Sequence, residues 1–242
     1  MSIWATLAGA AAGLLLGGPI GALAGAAAGG AIDLGVRRAA NPERRRVAFT
    51  IAAIALAAKM ARADGEASAA EFATFQRLFV VEAAEVGNAR RFYDLAKQSM
   101  AGFKAYAEQA AALLGPGSPL LEDLLDALWL IAAVDGFAPP ELEYLDQVAT
   151  HFGFDAAAAA RIRARHIGPV DDDPWAILGV TPGADAATLR TAYHALVRQY
   201  HPDRHLAEGM PAEFIRVSER RMATINDAYA RVTAKTTTRP AA

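Results

Sequence analysis

The chain has 242 residues, 54% of them hydrophobic and 21% charged, enough for one or two packed domains with appendages. A formal net charge of −2 gives no electrostatic footprint for nucleic acid. The absence of cysteine rules out disulfides, thiolate catalysis and cysteine-ligated zinc.

Ser2 to Ile32 carry no charged side chain, which exceeds the ~20 residues a helix needs to cross a bilayer. Gly9, Gly13, Gly17, Gly21, Gly25 and Gly29 recur at every fourth position, a run of overlapping G-x-x-x-G motifs that bares one helix face for close approach of a second helix. The expectation is a membrane span over 1–35 that self-associates into a homodimer. Gly17-Gly18-Pro19 would kink it or turn a re-entrant hairpin. The competing readings are a flexible Ala/Gly tract and a secretory signal, but a signal carries positive charge before its apolar run. Here Arg37, Arg38, Arg44, Arg45 and Arg46 follow it, in a basic linker over 36–48. By the positive-inside rule the N-terminus lies outside and the bulk of the chain in the cytoplasm.

From 49 to 166 the chain is rich in alanine and leucine without strand alternation, and apolar-periodic runs between breakers predict five to seven helices. One unit occurs twice. Met60-Ala61-Arg62-Ala63-Asp64-Gly65 leads to Glu71-Phe72, Phe75, Leu78 and Phe79, and Ile131-Ala132-Ala133-Val134-Asp135-Gly136 leads to Glu141-Leu142, Leu145, Val148 and Phe152. Asp64, Glu71, Asp135 and Glu141 invite a weak metal site, since hard cations take carboxylate oxygens. The favoured reading is structural: Gly65 and Gly136 turn left-handed and the acids cap the helices that follow. Phe72, Phe75, Phe79 and Trp129 are expected in the core.

A short acidic linker spans 167–173. After it, Asp173-Pro174-Trp175-Ala176-Ile177-Leu178-Gly179 reads as a short apolar turn ending at a glycine. A helix over Ala186 to Tyr200 places Leu189, Tyr193, Leu196, Val197 and Tyr200 on one face. Pro202 stops it, because proline lacks an N–H and forces its predecessor out of the α region. A last helix, roughly Pro211 to Val232, repeats Ile215, Met222, Ile225, Tyr229 and Val232 at heptad positions, with Ser218 the one polar member. The two faces suit an antiparallel hairpin over 174–233, followed by a disordered tail over 234–242. Read alone, His201 and Asp203 would be ordinary helix-end and turn residues. No nucleophile motif or metal-ligand cluster surrounds them, so no enzyme and no cofactor are expected.

The order of these pieces, with Tyr200-His201-Pro202-Asp203-Arg204 between two helices and Ile225-Asn226-Asp227-Ala228-Tyr229 in the second, resembles the J-domain of DnaJ co-chaperones. The repeated Asp-Gly units resemble the TerB-like helical bundle. Taken together, the whole chain resembles the DjlA family of membrane-anchored DnaJ-like proteins: an all-α chain of transmembrane helix, TerB-like bundle and J-domain hairpin.

The resemblance implies a DnaK-type ATPase chaperone as partner, an unknown client protein, and a single-pass place in a bacterial-type inner membrane. The trigger for ATP hydrolysis would be His201, Pro202 and Asp203, flanked by Tyr200 and Arg204. The docking edge would be Arg190, His194 and Arg198, with Asn226 on the facing helix. Thr191, His194 and Ala195 stand where such helices usually carry further Lys or Arg. The glycine-phenylalanine stretch and Cys-x-x-Cys region of full DnaJ-type proteins do not follow. A rival reading is an envelope-stress sensor or scaffold whose TerB-like bundle binds a metal or a protein, with a weakly active J-domain.

Overall fold

The computed structural model describes residues 42–63, 69–79, 86–98, 102–167, 173–208 and 210–237, so the expected membrane span lies outside the described residues. Within them the fold is all-helical. Seven helices form a bundle: α1 (Pro42–Met60), α2 (Ala69–Leu78), α3 (Val86–Ala96), α4 (Phe103–Leu114), α5 (Pro119–Ala132), α6 (Pro139–His151) and α7 (Ala156–Ala164). Four more follow: α8 (Pro174–Leu178), α9 (Ala186–Tyr200), α10 (Pro202–Ala207) and, after a 3₁₀ turn over Ala212–Phe214, α11 (Ile215–Thr237). No described helix is long and apolar enough to cross a membrane.

α1 is the axis of the bundle. Its stretch Phe-Thr-Ile-Ala-Ala-Ile-Ala-Leu-Ala-Ala is apolar on every side, and a helix of that kind is stable only when enclosed. From Phe49 to Ala61 every side chain is buried, with α3, α4, α5 and α6 packed around it. Its alanines let those neighbours approach closely, and the Tyr144 hydroxyl of α6 donates to the Leu56 carbonyl at 2.8 Å. The helix begins at Pro42, so residues 42–48, expected as a basic linker, are its first turns. Proline is suited to the first helical position, and the Glu-Arg-Arg-Arg that follows is a run of helix formers.

The second copy of the Asp-Gly unit behaves as its composition predicts. Gly136 has φ +88°, a left-handed conformation that other residues resist, and it reverses the chain between α5 and α6. Glu141 accepts a hydrogen bond from the Ala138 N–H at 3.0 Å, satisfying a donor at the start of α6 that the helix leaves orphaned. In the first copy Asp64 and Gly65 lie outside the described residues. Phe72, Phe75, Phe79 and Trp129 are all in the core.

α8, α9 and α11 form the C-terminal unit around their own small core of Leu178, Leu189, Tyr200, Ile225, Ala228 and Val232. Tyr193 of α9 stacks on Tyr229 of α11 at 4.2 Å. α8 starts at Asp173, whose carboxylate accepts from the Trp175 N–H, and ends at Gly179 with φ +68°. α11 continues to Thr237, past the expected end near Val232, because Ala234 and Lys235 favour helix and no breaker comes before Pro240.

This unit is not packed apart from the bundle. Met210, Phe214 and Val217 are buried in the bundle core rather than in the hairpin's own. Phe214 meets Phe49 of α1 edge-on at 4.8 Å and lies 4.4 Å from Phe79. Phe214→Ala is therefore expected to destabilise the bundle by about 3–5 kcal/mol, the usual cost of emptying a phenylalanine site. In urea, bundle and hairpin should unfold together, followed by tryptophan fluorescence (Trp129 in one, Trp175 in the other) and circular dichroism; two separate transitions would contradict the shared core.

Candidate functional site

The geometry of the His201-Pro202-Asp203 segment follows from its proline. Tyr200 closes α9, and His201 takes φ −64°, ψ 129°, the extended conformation that a residue before proline is forced toward. Pro202 then opens α10, since the first helical position needs no N–H donor. His201 is thus the last residue of one helix cap and the first of the next. Its Nδ1 accepts from the Asp203 N–H at 3.2 Å. The segment between the two helices is thus itself a short helix, Pro202–Ala207, and the triad forms its N-terminus.

The expected partner-binding residues divide into two groups. His201, Asp203, Arg204, Arg190, His194 and Arg198 are exposed, with Asp203 87% exposed along its side chain. Arg190, His194 and Arg198 run down the outer edge of α9, one turn apart. Arg204 is partly neutralised: its Nε lies 2.7 Å from Glu208 Oε1, and its Nη1 donates to the Arg198 carbonyl. Asn226 is exposed and ties the hairpin together by accepting from the Tyr193 hydroxyl at 3.0 Å.

Tyr200, on the apolar face of α9, is buried. Its side chain turns inward, 8% exposed, and its hydroxyl donates to Glu122 Oε2 of α5 at 2.8 Å. Burial first, and then the neighbouring Glu122 carboxylate, push its phenol well above the usual value, which keeps it a donor. A tyrosine on the apolar face of an amphipathic helix is driven to bury its ring, and here the bundle supplies both the cover and the acceptor.

The acceptor belongs to a polar cluster that sequence reading missed. α5 is nearly all apolar except for Glu122, Asp123 and Asp126; Asp126 lies one turn from both of the others, at i+4 and i+3, and is repelled by them unless compensated. Compensation comes from both units. Arg221 of α11 pairs with Asp126 and lies 3.5 Å from Glu122 Oε1. It also sits 3.1 Å from Asp123 Oδ1, an ion pair whose angle is not that of a hydrogen bond. Arg165 reaches Glu122 at 2.8 Å and Asp126 at 3.0 Å, and His166 Nε2 meets Asp126 at 2.9 Å while its ring stacks on Trp129. The Arg221 guanidinium covers the Tyr200 ring at 4.4 Å. The sequence does contain a signal: the charges of Leu-Glu-Asp-Leu-Leu-Asp interrupt a segment otherwise built for the core.

Burial alone would raise the Asp126 carboxyl, but Arg221, then Arg165 and His166, outweigh it and hold the group far below the usual carboxylate range. Arg221 is the mirror case: burial disfavours its charge, and Asp126, Asp123 and Glu122 raise it above its ordinary value. No group of three or more His, Cys, Asp or Glu side chains that could hold a metal ion occurs among the described residues. Glu71 is buried in α2, Asp135 is exposed, Glu141 caps α6, and Asp64 lies outside the described residues.

Comparison with known proteins gives three family models in sequence order. Residues 1–40 match the co-chaperone DjlA transmembrane domain, 50–164 match tellurite resistance protein TerB, and 173–237 match the DnaJ domain. The chain is a J-domain protein with a TerB-like bundle and a membrane domain ahead of it. Within that class it is a DjlA-like protein. It is 24% identical to co-chaperone protein DjlA of Legionella pneumophila over 93% of each chain. It is 37% identical to the protein of that name from Escherichia coli K12 over 26% of this chain and 23% of that one. The Vibrio parahaemolyticus protein is 39% identical over 24% of this chain and 20% of that one. No solved structure matches the chain significantly.

Removing Arg221 leaves three buried carboxylates short of a cation. Arg221→Met should cost about 3–5 kcal/mol at neutral pH, the usual penalty for breaking a buried ion pair from one side. The sign with pH follows from Asp126, whose folded value is depressed. Its contribution is full above the unfolded carboxylate value near 4 and is lost as pH falls below it toward the folded value. Wild-type and Arg221→Met stabilities, measured by urea denaturation, should therefore converge in acid below about pH 4; a gap that stays constant from neutral pH into acid would refute this role.

Proposed function

We propose that the chain works as a membrane-anchored J-domain co-chaperone. Its His201-Pro202-Asp203 loop and the Arg190, His194, Arg198 edge engage a DnaK-type chaperone and stimulate its ATP hydrolysis, while the TerB-like bundle recruits the client. The observation that carries this reading is the contrast in exposure. His201, Asp203 and the basic edge are exposed and Pro202 is half-buried, whereas Tyr200 and His205, on either side of the triad, are buried. A loop displayed on a rigid frame is suited to recognition by a protein surface. The cations on α9 would steer association with an acidic partner patch, a contribution that salt screens. The three-part family order and the co-chaperone names of the relatives support the same reading. The N-terminus lies outside an inner membrane and the bundle in the cytoplasm, as the arginines after the apolar segment favour.

The test is steady-state ATP hydrolysis by a DnaK-type chaperone with the full chain in detergent or nanodiscs. An isolated hairpin is unsuitable, because it would expose Met210, Phe214 and Val217. Stimulation by the wild-type chain that disappears in His201→Gln is the expected result. Equal hydrolysis with both chains, under conditions where another J-domain stimulates, would remove the reading. In reporter fusions, a C-terminal fusion is expected to report the cytoplasmic side, and an outside signal would contradict the orientation.

A further inference from the structure

The helix that carries Pro202 and Asp203 has little to hold it. α10 is six residues long, and a helix that short is not stable by its own hydrogen bonds. His205 is its one buried side chain, wholly enclosed. The ring Nε2 lies 3.1 Å from the Gln199 carbonyl, and Nδ1 lies 3.0 Å from Ser218 Oγ and 2.8 Å from Asp123 Oδ2. The Gln199 carbonyl only accepts, so Nε2 carries the proton of that bond, while Nδ1 pairs with Ser218 Oγ beside the Asp123 carboxylate. Ser218 in turn donates to Asp123 Oδ2 at 2.6 Å. Asp123 belongs to α5, in the bundle.

The other side of the triad is held in the same way. Tyr200 directly precedes His201 and donates to Glu122, the neighbour of Asp123 on α5. Arg221, fixed by Asp126, covers the Tyr200 ring. The triad is therefore clamped one residue before and two residues after, by consecutive carboxylates of another domain.

We propose that Glu122, Asp123 and Asp126 are positioning residues for the His201-Pro202-Asp203 loop. The TerB-like bundle sets the backbone conformation of the loop through Tyr200 and His205, and so sets its fit to the DnaK-type chaperone. This rests on the co-chaperone reading above, but the clamp itself can be tested without a chaperone. A general tether between domains would be served by contacts anywhere on the hairpin. Beyond the contacts of Phe214, Ser218 and Arg221 with the bundle, two of these contacts fall on Tyr200 and His205, on either side of the triad, while the Arg190 to Arg198 edge stays exposed.

The experiment uses the full chain in nanodiscs with Glu122→Ala, Glu122→Gln and Tyr200→Phe. Each substitution spares the fully buried Asp123, whose loss threatens the fold. The first readout is amide hydrogen exchange at 203–208, where the N–H groups of Arg204, His205 and Glu208 are bonded within α10. The second is the concentration of chain giving half-maximal ATPase stimulation, separated from the maximal rate. Glu122→Ala and Tyr200→Phe should each speed exchange at 203–208 by about tenfold, as expected for losing one hydrogen bond to a charged group. Both should raise the half-stimulating concentration several-fold and leave the maximal rate intact. Glu122→Gln, which keeps an acceptor oxygen, should behave close to wild type.

Unchanged exchange in Glu122→Ala and Tyr200→Phe would overturn the proposal, and so would faster exchange with an unchanged half-stimulating concentration. A defect in Tyr200→Phe without one in Glu122→Ala would also overturn it, since Tyr200 would then be touching the chaperone itself. Faster exchange alongside a wild-type chain that stimulates nothing would support the clamp and overturn the co-chaperone reading instead.

Discussion

A guanidinium enclosed between two helical units has to be neutralised where it lies, and Arg221 is neutralised by three carboxylates of α5. Those carboxylates would repel each other on an isolated helix, and Arg221 would be costly to bury on an isolated hairpin. Each unit thus supplies what makes the other's charges tolerable. The geometry of the C-terminal unit depends on this mutual need more than on its own core, which contains only six buried side chains.

The apolar contacts point the same way. Phe214 sits between Phe49 and Phe79, so the segment leading into α11 belongs to the bundle by packing, although it belongs to the DnaJ domain by sequence. Apolar burial is non-directional and supplies attraction, while the hydrogen-bonded charges select one register of docking. Met210, Phe214 and Val217 would hold the units together in many orientations. Arg221, Tyr200 and His205 are satisfied in one, and in that orientation the triad and the outer edge of α9 face away from the bundle.

The resulting division of labour explains why the working residues are so plain. The side chains of His201 and Asp203 make only local contacts among the described residues. Their setting is unusual only in what lies behind them. A loop anchored immediately on both sides loses less conformational entropy when a partner engages it, which is how preorganisation raises affinity without adding contacts.

Much of this was legible in the residues themselves, because local rules decide it. Pro202 ends α9, Asp173 and Asp185 cap α8 and α9, Gly136 turns the chain after an Asp-Gly, and phenylalanines at helical spacing become core. The motif order likewise pointed to the three family models. Periodicity did not show that α10 is a helix, since six residues carry no repeat; it put Tyr200 on the apolar face of α9 but not against Glu122, since an amphipathic helix does not name its cover. The charge triplet in α5 stands out from its apolar neighbours, yet its partners are 39 to 95 residues away in Arg165, His166, Ser218 and Arg221. The sequence by itself determined the longer helices, their caps and the His-Pro-Asp turn between two of them, because those depend on neighbours along the chain. Only the tertiary structure decided that bundle and J-domain share a core and a buried ion-pair cluster, because desolvated charges choose partners by proximity in space.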